Sequence, residues 1–210
     1  MRARHPGSRA PLRSPLSRRP ANAMIRRLVL AVVLLQPGLA AGLDPCQSKL
    51  PDSLRSEFAR RLPDYRQVLT SDYDSPTIES ERQYHKGNPC LAAEGGDFDG
   101  NGRLEFVFLG KKSGGGLKAF VGLRDAKTWR IQELWDLGSE YVGCCYANVL
   151  PPGRYENFYG TTPDPDEPPA PDERLVYTSK TQAPIVGRIE SSGIAFFLSR
   201  GRWLHVWVSD

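Results

Sequence analysis

Gly193-Ile194-Ala195-Phe196-Phe197-Leu198-Ser199-Arg200-Gly201-Arg202-Trp203-Leu204-His205-Val206-Trp207-Val208 reads as two strands around a two-residue turn. Arg200-Gly201 separates the two apolar runs, and the glycine supplies the positive φ that so tight a hairpin requires. Side chains alternate between faces along a strand. Leu204, Val206 and Val208 therefore share one face, and Trp203, His205 and Trp207 share the other. Both faces are apolar, so burial on two sides is expected, the tryptophan face under a helix. A carbohydrate platform is the alternative for two tryptophans on one face.

Reading back from the hairpin, the period of two continues to about Gly95. Strands are predicted at Leu104–Leu109, Leu117–Leu123, Trp129–Leu134 and Tyr146–Leu150, with turns at Gly114-Gly115-Gly116 and Asp125-Ala126-Lys127. Residues 163–173 form an acidic, proline-rich stretch that reads as a solvated loop. Upstream the period changes. Leu54, Phe58 and Leu62 fall on one helical stripe that begins near Pro51 and is stopped by Pro63. Tyr65–Leu69 reads as a short strand. A second helix is predicted from Ser75 as cap to about Lys86, ended by Gly87-Asn88-Pro89. The fold class expected is α+β: two short N-terminal helices followed by a mainly antiparallel β-sheet with a C-terminal hairpin.

Residues 24–41 have the order of a secretory signal peptide. Arg26 and Arg27 precede the apolar run Leu28–Leu35, Gln36-Pro37-Gly38 break it, and Ala40, Ala41 and Gly42 offer cleavage points. The run is too short to span a bilayer, which needs about 20 residues, and no second long apolar run follows it. Residues 1–23 are arginine- and proline-rich without an acid, and are expected to be a disordered leader or an upstream start ahead of Met24. Residues 42–210 are then a single α+β domain, exported to the periplasm or beyond.

This division decides the charge argument. The whole chain carries 28 basic and 24 acidic residues, a net charge of +4. Eight arginines lie before residue 42, so the remainder holds 20 basic and 24 acidic residues, a net of −4. A mildly acidic domain gives no electrostatic reason to expect nucleic acid.

Cys46, Cys90, Cys144 and Cys145 all follow the signal segment, and an even number in an exported chain predicts disulfides. In an extended strand, adjacent Cys144 and Cys145 point to opposite faces. Each is expected to meet a different partner, one taking Cys46 and the other Cys90, with a strained vicinal Cys144–Cys145 bridge as the alternative.

One motif carries chemistry. Gly96-Asp97-Phe98-Asp99-Gly100-Asn101-Gly102-Arg103-Leu104-Glu105 fits the pattern D-x-[DN]-x-[DN]-G-x-x-[DE]. Hard oxygen ligands at alternate positions, with glycine permitting a sharp turn, wrap a calcium ion. The candidate ligands are the side chains of Asp97, Asp99, Asn101 and Glu105 and the backbone carbonyl of Arg103. An EF-hand needs an acid at its twelfth position and a helix beyond; here Phe108 and a strand stand there. The same residue types also build metal-free turns by bonding their own backbone.

Cys90-Leu91-Ala92-Ala93-Glu94-Gly95 leading into this loop, Pro63-Asp64-Tyr65-Arg66, and the ending from Ile189 to Asp210 resemble a family of small exported bacterial proteins. The loop and following strand are similar to those of proteins with integrin-like, FG-GAP or VCBS-type repeats. The resemblance implies a fold and a calcium loop, and no catalytic residues.

The chain shows no G-x-S-x-G, H-E-x-x-H or phosphate-binding glycine loop. The function expected is an exported, disulfide-stapled, calcium-stabilised binding module, contacting a protein or a cell-envelope component. The alternative is a secreted hydrolase that uses carboxylates in a cleft, Asp97 or Asp99 with Glu105.

Overall fold

A computed structural model describes residues 42–74, 76–77, 79, 90–139, 145–162, 168–189 and 191–209. The signal segment, the leader, most of the helix expected at Ser75–Lys86, Cys144 and the first part of the proline-rich loop, 163–167, lie outside them.

Two helices lead into β-structure. Helix α1, Pro45–Lys49, is opened by Asp44, whose carboxylate accepts the Cys46 N–H at 2.8 Å and also holds the Thr70 N–H. Sequence periodicity missed this helix, because one turn is too short to show a stripe. Helix α2, Asp52–Arg61, is the predicted one. It ends where the Leu62 N–H returns to the Phe58 carbonyl, just before Pro63.

The first sheet comprises β1 (Tyr65–Gln67), β2 (Ala93–Gly96), β3 (Glu105–Lys112), β4 (Leu117–Arg124) and β5 (Trp129–Gly138). Its order is β1-β3-β4-β5, all antiparallel. Strands β1 and β2 share one edge of β3 end to end, β2 against residues 105–108 and β1 against 110–112. The second sheet runs β11-β10-β9-β6, from β6 (Cys145–Leu150), β9 (Ala183–Arg188), β10 (Ser192–Ser199) and β11 (Arg202–Ser209). A ribbon of β7 (Gly153–Glu156) and β8 (Val176–Ser179) stands apart in hydrogen bonding. The predicted C-terminal hairpin is present in full register, Ser199 opposite Arg202. Its turn holds both Arg200 and Gly201 at positive φ, 51° and 79°.

The layers follow from alternation. Leu54 and Phe58 of α2 sit on the first sheet against Phe108 and Phe120, with Phe58 5.0 Å edge-on to Phe108. Two strand glycines make room for the helix. A Cβ on Gly110 would stand 2.7 Å from the Phe120 ring and 2.9 Å from Phe58, and one on Gly122 would stand 2.8 Å from Leu54. Val186, Ile194 and Phe196 of the second sheet join the same core from the opposite side. The other face of that sheet, Ala183, Ile185, Ala195, Phe197, Val206 and Val208, packs on Tyr155 and Tyr177 of the ribbon.

The tryptophan face of β11 is therefore covered, but not by a helix as expected. Trp135 of β5 packs against His205 and Trp207, at ring separations of 5.5 and 5.9 Å, and Trp203 Nε1 donates to Gln132 Oε1. Sheet packs on sheet here because β5 is long enough to bring Trp135 across β11.

The disulfide joins Cys46 to Cys90, with Cα atoms 4.8 Å apart. This corrects the expected pairing of each with Cys144 or Cys145. Cys145 opens β6, is buried, and its carbonyl accepts the Tyr73 hydroxyl at 2.7 Å. Alternation told which way the adjacent cysteines point, not which segments lie beside them. Cys46 at the start of α1 and Cys90 just before β2 are neighbours because both elements pack at the same edge of the first sheet.

Candidate metal loop and exposed aromatic turn

The aspartate motif is the connection of a β-hairpin. Gly96 pairs with Glu105, closing residues 97–104 between β2 and β3. Gly100 and Gly102 both have φ of +76°, a conformation other residues rarely take, so the chain doubles back within the loop. Asp97 accepts the N–H groups of Gly100 at 2.9 Å and Gly102 at 3.0 Å. Asp99 accepts the Asn101 N–H at 3.0 Å and its side-chain amide at 2.7 Å, and Asn101 Oδ1 accepts the Arg103 N–H at 2.8 Å. The Asp97 N–H bonds Gln182, and the Phe98 carbonyl accepts the Thr181 hydroxyl, so the connection from β8 of the ribbon to β9 of the second sheet braces the loop.

Glu105 lies behind the loop with no solvent exposure. Its two oxygens accept the Phe98 N–H at 3.0 Å and the Arg124 N–H at 3.3 Å. Burial, followed by the nearby charge of Asp99, raises its carboxyl from 4.5 to about 7. One oxygen each of Asp97, Asp99 and Glu105 lie within 4.8 Å of one another. Calcium–oxygen distances of 2.3–2.6 Å let two ligands of one ion stand up to about 5 Å apart. The three carboxylate oxygens are therefore close enough together to share one cation. Asn101 and Arg103 are in the same loop, ordered by their mutual bond, with the Arg103 guanidinium donating to the Arg124 carbonyl at 3.3 Å.

A second feature escaped the sequence reading. Phe158 and Tyr159 are 59% and 72% exposed at the tip of a turn. The turn is held by buried Asn157, whose side chain bonds Glu173 and the Tyr159 N–H, while the Phe158 N–H donates to the Trp207 carbonyl. Tyr159 stands 6.0 Å from Trp207 and Phe158 5.4 Å from Tyr159, extending the Trp135–Trp207 contact outward. The available signal was Asn157 and Gly160 flanking two aromatics, a turn with apolar residues at its tip.

Fold and site together define a disulfide-stapled, mainly antiparallel β protein with an acidic hairpin loop in which three carboxylates are gathered. Set against protein-family models, curated proteins and solved structures, the chain matches none. Among the described residues no helix is long and apolar enough to cross a membrane.

Proposed function

We propose that the chain is an exported interaction module whose aspartate loop takes a calcium ion as a structural brace, and whose aromatic turn contacts a protein or a cell-envelope component. The observation that carries the calcium reading is the gathering of Asp97, Asp99 and Glu105 oxygens within 4.8 Å. An ion there offsets the mutual repulsion of three carboxylates and fixes the entry to β3. The contact reading is supported by Phe158 and Tyr159, large apolar side chains that folding leaves outside on an anchored turn. Export is supported by the order of residues 24–41 and by a Cys46–Cys90 bridge, which persists in oxidising compartments.

The hydrolase reading has one observation in its favour, the raised carboxyl of Glu105. That carboxyl is buried behind the loop, so it is poorly placed to meet a substrate. Calorimetric titration of the metal-free protein with calcium, with magnesium as control, tests the proposal. Saturable calcium binding that is lost in Asp97→Asn is expected; no heat from calcium would refute it.

A further inference from the structure

The turn that carries Phe158 and Tyr159 belongs to the stretch where the domain concentrates its charge. Between Tyr155 and Glu173 the sequence holds six acids, Glu156, Asp164, Asp166, Glu167, Asp172 and Glu173, and no base. With the flanking Arg154 and Arg174 the stretch sums to −4. Residues 42–210 also sum to −4, so the rest of the domain is balanced at 18 bases and 18 acids.

Both ends of the stretch are fastened to the edge strand β11. The Phe158 N–H donates to the Trp207 carbonyl at 2.8 Å, and the His205 N–H donates to the Asp172 carbonyl at 2.9 Å. Asn157 Nδ2 donates to Glu173 Oε1 at 2.9 Å, so a carboxylate stands beside the residue that precedes the aromatic pair. Asp172 Oδ2 lies 3.5 Å from Nδ1 of the buried His205. Among the nearby bases, Arg154 is paired with Glu156, and Arg174 gives its guanidinium to the Pro171 and Glu173 carbonyls at 3.0 and 2.6 Å. The rings are positioned too. Tyr159 stands 6.0 Å edge-on from Trp207, and Phe158 5.4 Å from Tyr159. Little side-chain freedom is left for a partner to remove.

Building on the contact role of this turn, we propose that its partner is a basic segment of another protein, rich in lysine or arginine, rather than an anionic lipid or envelope polymer. Lysine and arginine lay their methylene stems along apolar surface and keep the charged end free to meet a carboxylate. Their cationic heads are also drawn to the faces of aromatic rings. Phe158 and Tyr159 offer the apolar surface and the rings, and the acids of the same stretch offer the opposite charge. An anionic partner that reached the two rings would meet those same acids and be repelled.

Amide NMR spectra of the full chain test the assignment during titration with hexalysine, with hexaglutamate, and with vesicles of phosphatidylglycerol. Hexalysine is expected to shift the Phe158, Tyr159 and Gly160 resonances saturably, with an affinity that falls as salt is raised. Hexaglutamate and the vesicles are expected to leave them in place. Phe158→Ala combined with Tyr159→Ala, a change at two exposed side chains, should weaken hexalysine binding about fivefold. Non-saturating shifts with hexalysine, or an unchanged affinity in the double variant, would overturn the basic partner. Vesicles that perturb these resonances where hexalysine does not would overturn it as well, yet leave the turn a contact surface. Silence from all three probes would overturn the contact role along with it.

Discussion

The carboxylate of Glu105 accepts the backbone N–H of Phe98 at 3.0 Å, so the first residue of β3 holds the aspartate loop from behind while its charge faces Asp99. The loop is thus shaped without an ion, and an ion changes mainly its electrostatics. One such loop, unsupported by neighbouring repeats, is expected to bind calcium in the 10⁻⁴–10⁻³ M range of extracellular modules. Millimolar calcium should then stabilise the fold by about 1 kcal/mol. Thermal melts should show this increment in the wild type and none in Asp99→Asn. Equal melts with calcium and with chelator in the wild type would mark the loop as an ordinary turn.

The same buried carboxyl predicts a pH dependence. Its folded pKa of about 7 lies above its ordinary value of 4.5, so the folded state binds the proton more tightly than the unfolded chain. Without calcium, its favourable contribution is complete below about pH 4.5 and is lost as pH rises through 7. The span is on the order of 3 kcal/mol. Denaturant melts across this window should show a falling stability that Glu105→Gln flattens; a variant with the same slope as the wild type would assign the slope elsewhere.

Reduction of Cys46–Cys90 should cost about 2–4 kcal/mol, since the bridge closes a long loop in the unfolded chain. Non-reducing peptide mapping should recover the peptides of Cys46 and Cys90 joined. Recovery of either residue joined to Cys144 would restore the pairing read from alternation.

Gly110→Ala is expected to destabilise the fold by about 1–3 kcal/mol, because a methyl group there meets two aromatic rings between α2 and the first sheet. Gly102→Ala tests the other use of glycine. Its site is open, and its cost should come from positive φ alone, about 1–2 kcal/mol. Chemical denaturation that finds either variant as stable as the wild type would contradict the corresponding account.

Arg200→Asn should stabilise the protein by about 0.5–1 kcal/mol. The hairpin turn puts residue 200 at φ 51°, where asparagine is at home and arginine is not. A melting temperature unchanged or lowered would show that the arginine side chain compensates.

Local patterns were enough for much of this architecture. The stripe Leu54–Phe58 marked α2, the period of two marked β3, β4, β5 and β11, and Arg200-Gly201 marked the hairpin, because each depends on residues a few positions apart. The spacing Asp97, Asp99, Asn101, Glu105 likewise marked the loop, since its Asx bonds are local. Strands β2, β7, β8 and β9 are short or interrupted by glycine and proline, and α1 is a single turn, so their signals were weak.

Long-range packing settled the remainder. Cys46 meets Cys90 across a separation of 44 residues, and Trp135 rather than a helix covers His205 and Trp207. Asp72 gathers Arg66 and Lys111 from two strands onto one carboxylate. Nor does spacing say that Glu105 is buried deeply enough to hold its proton near neutrality. Periodicity assigns a side chain to a face, but burial, pairing and charge depend on which distant segment arrives at that face, and that is set by the packing of the whole fold.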